Sequence, residues 1–335
     1  MADIIEVSGL TKRFRDLAAV DHVTFQVEEG EIFGFLGPNG AGKSTTIKIL
    51  TTLLRKTEGV ARVDGKDVER EAAAIRRVIG YSAQDVSVDD DLTGRENLRL
   101  QANFYHLPPG DVDGRVAELL RAVDIVEAAD RKAGTYSGGM RKRLDLASAL
   151  IHRPKVLFLD EPTTGLDPQS RRAMWDYIRS LNAEGTTIFL TTQYMEEADQ
   201  LARRLVIIDH GKIVTDGTPT QLKAEIGVDV IRIALPENGS NGGREAAIAA
   251  LDGLPSIQEV QGYEEGLVVY AQSGPAMVPQ IVRKLDEAHV GIRGLSFSAP
   301  SLDDVFLKHT GRQMRAEEVR MPTRMMWGAR RRRPR

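Results

Sequence analysis

Short apolar segments alternate with amphipathic segments along the first two thirds of the chain. The apolar segments have the length and the β-branched or aromatic content of buried strands. They lie at 4–10, 22–27, 31–36, 59–65, 79–84, 156–159, 187–190 and 205–208. Large aliphatic residues recur at helical spacing at 45–54, 93–130, 140–151, 171–181 and 195–202. This alternation predicts an α/β fold, with a mainly parallel sheet and helices on its faces.

The helical stretch from 93 to 153 is too long to be one crossover between neighbouring strands. Pro108, Pro109 and Gly110 divide it into separate helices, because proline and glycine are rare inside helices. We therefore expect a helical subdomain, at about 86–153, inserted into a sheet domain that covers residues 1–225.

The pattern changes after residue 226, where strands are predicted at 228–235, 257–261, 267–271 and 292–297. Helices are predicted at 246–251 and 277–288, and a last helix at 302–308. The order β-α-β-β-α-β is typical of the ferredoxin-like, split βαβ unit. It predicts a small C-terminal α+β domain over 226–311.

Composition and charge restrict the function further. The net charge of −3 gives no general attraction to nucleic acid, so we expect no nucleic-acid partner. Cysteine is absent, which excludes disulfides and thiolate metal sites and favours a reducing compartment. No apolar run approaches the roughly 20 residues that span a bilayer, so a membrane role would need a second chain. The arginine-rich tail at 312–335 is either solvated and disordered or attracted to anionic lipid headgroups.

One glycine-rich segment has the spacing G-x-x-x-x-G-K-[ST] of a phosphate-binding loop, between a predicted strand and a predicted helix. It consists of Gly37, Pro38, Asn39, Gly40, Ala41, Gly42, Lys43, Ser44 and Thr45. Backbone N–H groups of such a loop, together with the helix dipole, bind phosphate oxygens. Lys43 would lie on the β- and γ-phosphates, and the Ser44 hydroxyl on Mg²⁺. The sequence therefore predicts a nucleoside triphosphate site with Mg²⁺.

Two further motifs suit a phosphate site. The apolar strand at 156–159 ends in Asp160 and Glu161, where Asp160 can hold Mg²⁺ through water and Glu161 can polarise an attacking water as general base. Ser137, Gly138 and Gly139 stand at the start of a helix, where hydroxyl, N–H groups and dipole favour an anion. Alone, a Ser-Gly-Gly sequence is also an ordinary helix cap.

The motifs together resemble the ATP-hydrolysing subunit of an ATP-binding cassette (ABC) transporter, over roughly residues 4–225. They are the phosphate loop, Gln84, Ser137-Gly138-Gly139, Asp160-Glu161 and Gly165-Leu166-Asp167, in the order of that family. The segments at 92–98, 136–141 and 301–306 resemble one branch, the daunorubicin/doxorubicin-resistance type of drug exporter ATPase. The C-terminal extension of that branch covers most of the remaining chain.

The resemblance implies a role for each motif. Two copies would pair head to tail, with each ATP between the phosphate loop of one and Ser137-Gly138-Gly139 of the other. Phe14 would stack on adenine, where the family usually has tyrosine; alternatively it packs on the sheet. Gln84 would contact Mg²⁺ and the attacking water and report on them to a membrane partner; alternatively it is a polar strand end. Asp167 would reach across to the opposite subunit.

Three positions depart from the usual pattern of the family. Tyr136 replaces the leucine before the signature serine, and Met140 replaces a glutamine near the γ-phosphate or ribose. Gln193 replaces a histidine; its amide can donate a hydrogen bond to the γ-phosphate but cannot become cationic or relay a proton. We therefore expect Glu161 alone to supply base catalysis and Gln193 only to contact the γ-phosphate.

The expected function is the motor subunit of an exporter of a drug or lipid-like compound. It would work with a separate integral membrane permease, at the cytoplasmic face of the cell membrane. One alternative is a soluble ABC-type ATPase in DNA repair or translation. The C-terminal domain could further be a small-ligand sensor, a dimer contact or an inert appendage.

Overall fold

The computed structural model describes residues 2–236, 241–263 and 266–312. The tail at 313–335 lies outside these residues, so the expectation for it stays a prediction. Within the described part, the strands are β1 Asp3–Phe14, β2 Leu17–Glu28, β3 Ile32–Leu36, β4 Glu58–Val63, β5 Lys66–Asp67, β6 Ile79–Ser82, β7 Val156–Asp160, β8 Thr187–Thr192, β9 Arg204–Asp209, β10 Lys212–Gly217, β11 Asp229–Ala234, β12 Ile257–Tyr263, β13 Gly266–Ala271 and β14 Gly294–Ser298. The helices are α1 Lys43–Leu50, α2 Ala72–Arg76, α3 Gly94–Phe104, α4 Pro109–Ala122, α5 Gly138–Ala149, α6 Pro168–Ala183, α7 Met195–Leu201, α8 Pro219–Ile226, α9 Asn241–Leu251, α10 Gly274–Glu287 and α11 Leu302–Thr310.

The central sheet has the strand order β10-β9-β3-β8-β7-β6. Neighbouring strands in this sheet are parallel, except β9 and β10, which pair antiparallel. Strands β3, β7 and β8 are buried along their whole length, which explains their unbroken apolar sequences. Their carboxyl ends form one edge, and ligands of parallel α/β sheets bind at such an edge.

The first two strands do not join this mainly parallel sheet. β1 and β2 pair antiparallel and form a second sheet of order β2-β1-β4-β5. One face of this sheet packs on the central sheet around Phe25, Phe33 and Phe189. The alternation of buried and exposed residues in β2 is typical of an antiparallel strand with one solvated face.

The helices between β6 and β7 are inserted between two neighbouring strands of the central sheet. α3, α4 and α5 pack around Leu98, Leu120 and Leu144. This apolar cluster continues into α6 and one face of the central sheet, where it includes Trp175 and Leu190. The inserted helices are therefore joined to the sheet by a continuous core.

The C-terminal part has the ferredoxin-like topology that the sequence predicts. Its sheet has the order β12-β13-β11-β14, and all three pairs are antiparallel. Helices α9 and α10 cover one face, around Ile231, Val269 and Ile281. The opposite face packs on α11, which in turn contacts α7 and α8.

Candidate active site

The phosphate loop connects β3 to α1 and packs against two carbonyl oxygens. Gly42 caps α1 with a φ of 111°, a left-handed conformation that favours glycine. A Cβ atom added at Gly42 would lie 2.5 Å from the carbonyl oxygen of Ala19, and one at Gly37 would lie 2.3 Å from that of Ile208. Side chains larger than a hydrogen atom do not fit at either position. This close packing fixes the loop at the carboxyl end of β3.

The side chain of Lys43 folds back over the phosphate loop. Its Nζ atom donates to the carbonyl oxygens of Gly37, at 2.8 Å, and Pro38, at 3.2 Å. The same ammonium group lies 3.2 Å from Glu161 Oε1, and both side chains are only 4% exposed. A buried charge needs a close partner of opposite sign, so this pair holds the loop and the end of β7 together.

Ser44 and Asp160 place two oxygen atoms that could coordinate a metal ion beside the loop. The Ser44 hydroxyl donates to Asp160 Oδ1 at 3.2 Å, and the Thr191 hydroxyl donates to the same atom at 2.6 Å. Asp160 is 2% exposed, so Thr191 fixes a buried carboxylate. Hydroxyl and carboxylate oxygens are the ligands that Mg²⁺ prefers, so this donor set fits that ion.

Glu161 has an unusual backbone conformation and several contacts. Its φ is 52°, which is uncommon for a residue other than glycine and is often found at functional sites. Besides Lys43, its carboxylate accepts hydrogen bonds from Gln84 Nε2, at 3.4 Å, and the Thr164 hydroxyl, at 3.3 Å. The structure thus brings Lys43, Gln84 and Glu161 together, as the motifs lead one to expect.

Gln84 does not end a strand, in contrast to the sequence expectation. β6 ends at Ser82, so Gln84 lies two residues further on, exposed in a loop. The polar strand end that was the alternative interpretation of Gln84 is therefore wrong.

Gln193 follows directly after β8 and is 8% exposed. Its Oε1 atom has no hydrogen-bond partner within the part of the chain that the structure describes. A buried amide oxygen without a partner has a free-energy cost of about 1–3 kcal/mol. A phosphate oxygen also accepts hydrogen bonds, so the amide nitrogen of Gln193, and not this oxygen, is the atom that could contact a γ-phosphate.

Ser137 caps α5 and accepts a hydrogen bond from Met140 N at 3.3 Å. Ser137 and Gly138 are exposed. Two of the unusual residues are explained by local packing: Met140 contacts the apolar cluster of the inserted helices, and the buried Tyr136 donates to the Ala128 carbonyl at 2.6 Å. The helix start is therefore open to solvent while the residues beside it are fixed.

Phe14 and Asp167 lie at the ends of two other elements. Phe14 ends β1, is 46% exposed, and has the Lys12 ammonium 4.9 Å from its ring centroid. Its ring is about half exposed, so stacking on adenine and packing on the sheet both stay predictions. Asp167 caps α6 by accepting from Gln169 N and Ser170 N, and the bonds from Ser170 lower the pKa of its carboxyl group.

Several residues that shape the site were not singled out from the sequence. Thr191 holds Asp160, and Lys142 of α5 donates to the Glu161 carbonyl oxygen at 3.2 Å. Burial lowers the pKa of Lys142. Asp145 is a buried carboxylate of the same helix. Sequence spacing provides no signal for Asp145, because three of its neighbours on the helix face, Arg141, Lys142 and Ser148, are polar as well.

Comparison with known proteins identifies the class. The family model of the ABC transporter matches residues 20–164. That of the ATP-binding protein DrrA1-3-like, C-terminal domain, matches residues 217–310. A daunorubicin resistance ATP-binding protein, DrrA3 of Streptomyces coeruleorubidus, is 44% identical over 95% of this chain and 100% of its own length. The chain therefore belongs to the ATP-binding proteins of ABC transporters, and it is an ATPase.

Within this family the chain has the DrrA-like C-terminal domain, so it is a member of the drug-resistance branch. A Nod factor export ATP-binding protein of Burkholderia pseudomallei is 40% identical over 92% of this chain and 98% of its own length. A solved ATP-binding cassette, described as dimeric in a post-hydrolysis state with ADP and Pi, matches with a TM-score of 0.59 and 26% identity. It covers 64% of this chain and 98% of its own.

Proposed function

We propose that this protein is the ATP-hydrolysing motor subunit of an exporter. It drives efflux of a drug or another amphiphilic, lipid-like compound through a separate membrane subunit. The observation that carries the proposal is the convergence of Lys43, Ser44, Asp160, Glu161 and Gln84 at the carboxyl edge of the central sheet. The names of the relatives, which are resistance and export proteins, support export.

Each of these residues has a distinct part in hydrolysis. Lys43 and the N–H groups of the loop would bind the phosphates, and Ser44, Asp160 and Gln84 would hold Mg²⁺. Mg²⁺ neutralises charge on the phosphate oxygens when it is bound. Glu161 lies beside Gln84 and takes a proton from the attacking water as general base. Gln193 donates its amide to the γ-phosphate.

The site is completed by a second copy of the chain. Ser137, Gly138 and Gly139 start a helix whose N-terminus is solvent-exposed, so the phosphates of a partner can reach it. The solved cassette that is described as dimeric supports a paired arrangement. Phe14 stacks on the adenine base, for which its exposed ring is available. Asp167, at the start of α6, faces the opposite copy.

A membrane subunit docks beside the Gln84 segment. A cavity of about 270 Å³ lies there and is lined by Leu53, Tyr81, Gln101 and Tyr105, among others. Leu53 is 59% exposed and the nearby Phe104 is 66% exposed, which suits an apolar helix of a partner. None of the helices in the described residues has the length and apolar content to cross a membrane. In this proposal the protein acts at the cytoplasmic face, bound to its permease.

Efflux in cells tests the proposal. A strain that lacks this chain is complemented with the wild-type protein or with Glu161→Gln, and daunorubicin retained in the cells is measured by its fluorescence. We expect Glu161→Gln to bind ATP but to lower kcat by about 100-fold or more, and to leave the drug in the cells. Equal retention in the two strains, with ATP turnover lost only in the variant, would contradict export of this class of compound.

A further inference from the structure

A buried carboxylate of α5 holds both ends of the segment that carries Gln84. Asp145 is 6% exposed, and its Oδ2 atom accepts a hydrogen bond from the Ser82 hydroxyl at 2.5 Å. Its Oδ1 atom accepts from the backbone N–H of Ser87 at 2.9 Å. Ser82 ends β6, and Ser87 follows five residues later. We call residues 83–86, which lie between these two contacts, the Gln84 loop.

The centre of the Gln84 loop is held much less firmly than its ends. Gln84 and Asp85 are exposed, and the hydrogen bond from Gln84 Nε2 to Glu161 is long, at 3.4 Å. The bonds to Asp145 are shorter, at 2.5 and 2.9 Å, and Asp145, unlike Gln84, is buried. The position of Gln84 relative to Glu161 therefore depends on where Asp145 places the two ends of the loop.

Burying a carboxylate is unfavourable unless hydrogen bonds compensate for lost water. Burial raises the pKa of Asp145, although the bonds from Ser82 and Ser87 oppose that change. An apolar residue at this helix position would pack without such a cost. The presence of aspartate, with both oxygens bound to the ends of one loop, therefore points to a specific positioning role.

The helix that carries Asp145 also contacts the two other parts of the site. Its N-terminus is Ser137, which we propose to face the ATP of a second copy. Lys142, less than one turn before Asp145, donates to the carbonyl oxygen of Glu161 at 3.2 Å. The same helix thus contacts the residues on either side of the Gln84 loop, contacts the residue proposed as general base, and begins at the proposed partner site.

We infer that Asp145 is a positioning residue for ATP hydrolysis, which ties the Gln84 loop to α5 so that both move together. A shift of the helix when a second copy binds ATP then places Gln84 relative to Glu161. This inference rests on the proposed role of Gln84. It predicts that releasing the loop slows the chemical step more than it weakens ATP binding.

The test compares steady-state ATP hydrolysis by the full chain and four variants of these contacts. Asp145→Ala releases both loop ends, Asp145→Asn keeps the size and one acceptor oxygen, Ser82→Ala releases one end, and Ser82→Thr keeps the hydroxyl. The control is Ser148→Ala on the same helix, since among the described residues the Ser148 hydroxyl bonds only the Leu144 carbonyl of that helix, at 2.9 Å. Amide hydrogen exchange of residues 83–88 is measured in parallel.

We expect Asp145→Ala to lower kcat by about tenfold with KM changed less than about twofold, because a small displacement of a reacting group strongly slows catalysis. Asp145→Asn and Ser82→Ala should fall between this variant and the wild type, and Ser82→Thr should recover most of the rate. Exchange of the Ser87 amide should become faster in Asp145→Ala and stay unchanged in Ser148→Ala.

Wild-type kcat in Asp145→Ala and Ser82→Ala, or an equal loss in Ser148→Ala, would overturn the inference. So would a loss in Ser82→Thr as large as that in Ser82→Ala. A Gln84→Ala variant separates this failure from that of the proposed function. If Gln84→Ala slows hydrolysis and Asp145→Ala does not, only the inference fails. If Gln84→Ala is as active as wild type, the proposed role of Gln84 fails, and the inference with it.

Discussion

At the scale of single residues, the chemistry of the site depends on how Glu161 is supported. Glu161 has a positive φ, at which the chain changes direction. Thr163, two residues later, is bound by the fully buried carboxylate of Glu197. Glu197 accepts from the Thr163 hydroxyl at 2.8 Å and from the Trp175 indole at 3.0 Å, and burial raises its pKa. The uncommon backbone conformation of Glu161 is therefore maintained by surrounding contacts.

The effect of glutamine at position 193 can be distinguished from that of the histidine usual in the family by the pH dependence of kcat. Removing its amide in Gln193→Ala should lower kcat about tenfold, since a hydrogen bond to a charged group contributes roughly 1.5–3 kcal/mol. The pH profile of kcat should keep its shape, because glutamine does not titrate. In Gln193→His, a new pH dependence should appear near about pH 6.5. The measurement is ATP turnover from pH 5.5 to 8.5.

Gln200→Ala is the matched control for this series, because it removes the same amide from an exposed position of α7. Its turnover should equal that of the wild type. If Gln193→Ala were equally active, Gln193 would have no contact with the γ-phosphate in the transition state. A change in the shape of the pH profile in Gln193→Ala would also be inconsistent with a non-titrating role.

Sequence motifs predict those site residues that belong to a short contiguous segment with a characteristic spacing. Lys43, Asp160 and Glu161 are recognisable for that reason, and the structure brings them together. Thr191 and Asp145 act on residues from elements that are distant in sequence, so no local spacing reveals them. Their contacts follow only from the pairing of β7 with β8 and from the packing of α5 beside β6.

At the scale of elements, His152 connects the end of α5 to two neighbours. Its Nε2 atom donates to the Ile79 carbonyl at 2.8 Å, and its ring stacks on Tyr105 at a centroid distance of 3.7 Å. The neutral ring then has its lone pair on Nδ1, which is buried without a hydrogen-bond partner among the described residues. Burial, assisted by the nearby Arg115, lowers the pKa of His152.

This lowered pKa predicts a pH-dependent contribution to stability. In the unfolded chain His152 binds a proton below its ordinary pKa of about 6.5, whereas the folded protein resists protonation there. The contribution is therefore fully present above about pH 6.5 and is lost as the pH falls below it. We expect the free energy of unfolding to fall more steeply between pH 7.5 and 5 in the wild type than in His152→Gln.

Denaturant unfolding at several pH values measures how steeply the free energy of unfolding changes with pH in the wild type and in His152→Gln. Glutamine can still donate an amide hydrogen to Ile79 but does not titrate. His22→Gln is the control, since His22 has a side chain that is 66% exposed. Parallel curves for wild type and His152→Gln would mean that His152 is protonated equally in both states.

The sequence predicts element types well and their partners less well. The strands of the central sheet are recognisable because burial on both faces requires unbroken apolar runs. The sequence predicts no sheet partners for β1 and β2, since the choice of partner strand depends on packing against Phe33 and Phe189. β6 was predicted two residues too long, and it ends where Asp145 binds the hydroxyl of Ser82.

At the scale of the whole molecule, the two main parts share a core. One apolar cluster contains residues of α7 and α8 together with residues of α11 and the C-terminal sheet, including Ala198, Leu222, Val268 and Phe306. Arg312 adds a second link, because its guanidinium lies 2.6 Å from the nearly buried Asp209 at the end of β9. The division at residue 225 stays a prediction, and this core lies on both sides of it.

A shared core predicts one cooperative unfolding transition. Phe306 is 1% exposed, so Phe306→Ala should lower the free energy of unfolding by about 3–5 kcal/mol. Calorimetry should show one endotherm, whose midpoint falls by roughly 4–7 °C in the variant and rises as a whole when ATP is added. The control is Phe297→Ala in the C-terminal sheet, which removes a ring that is 52% exposed and should shift the endotherm little. Two resolved transitions, with only one sensitive to Phe306→Ala and the other to ATP, would show instead that the two parts unfold independently.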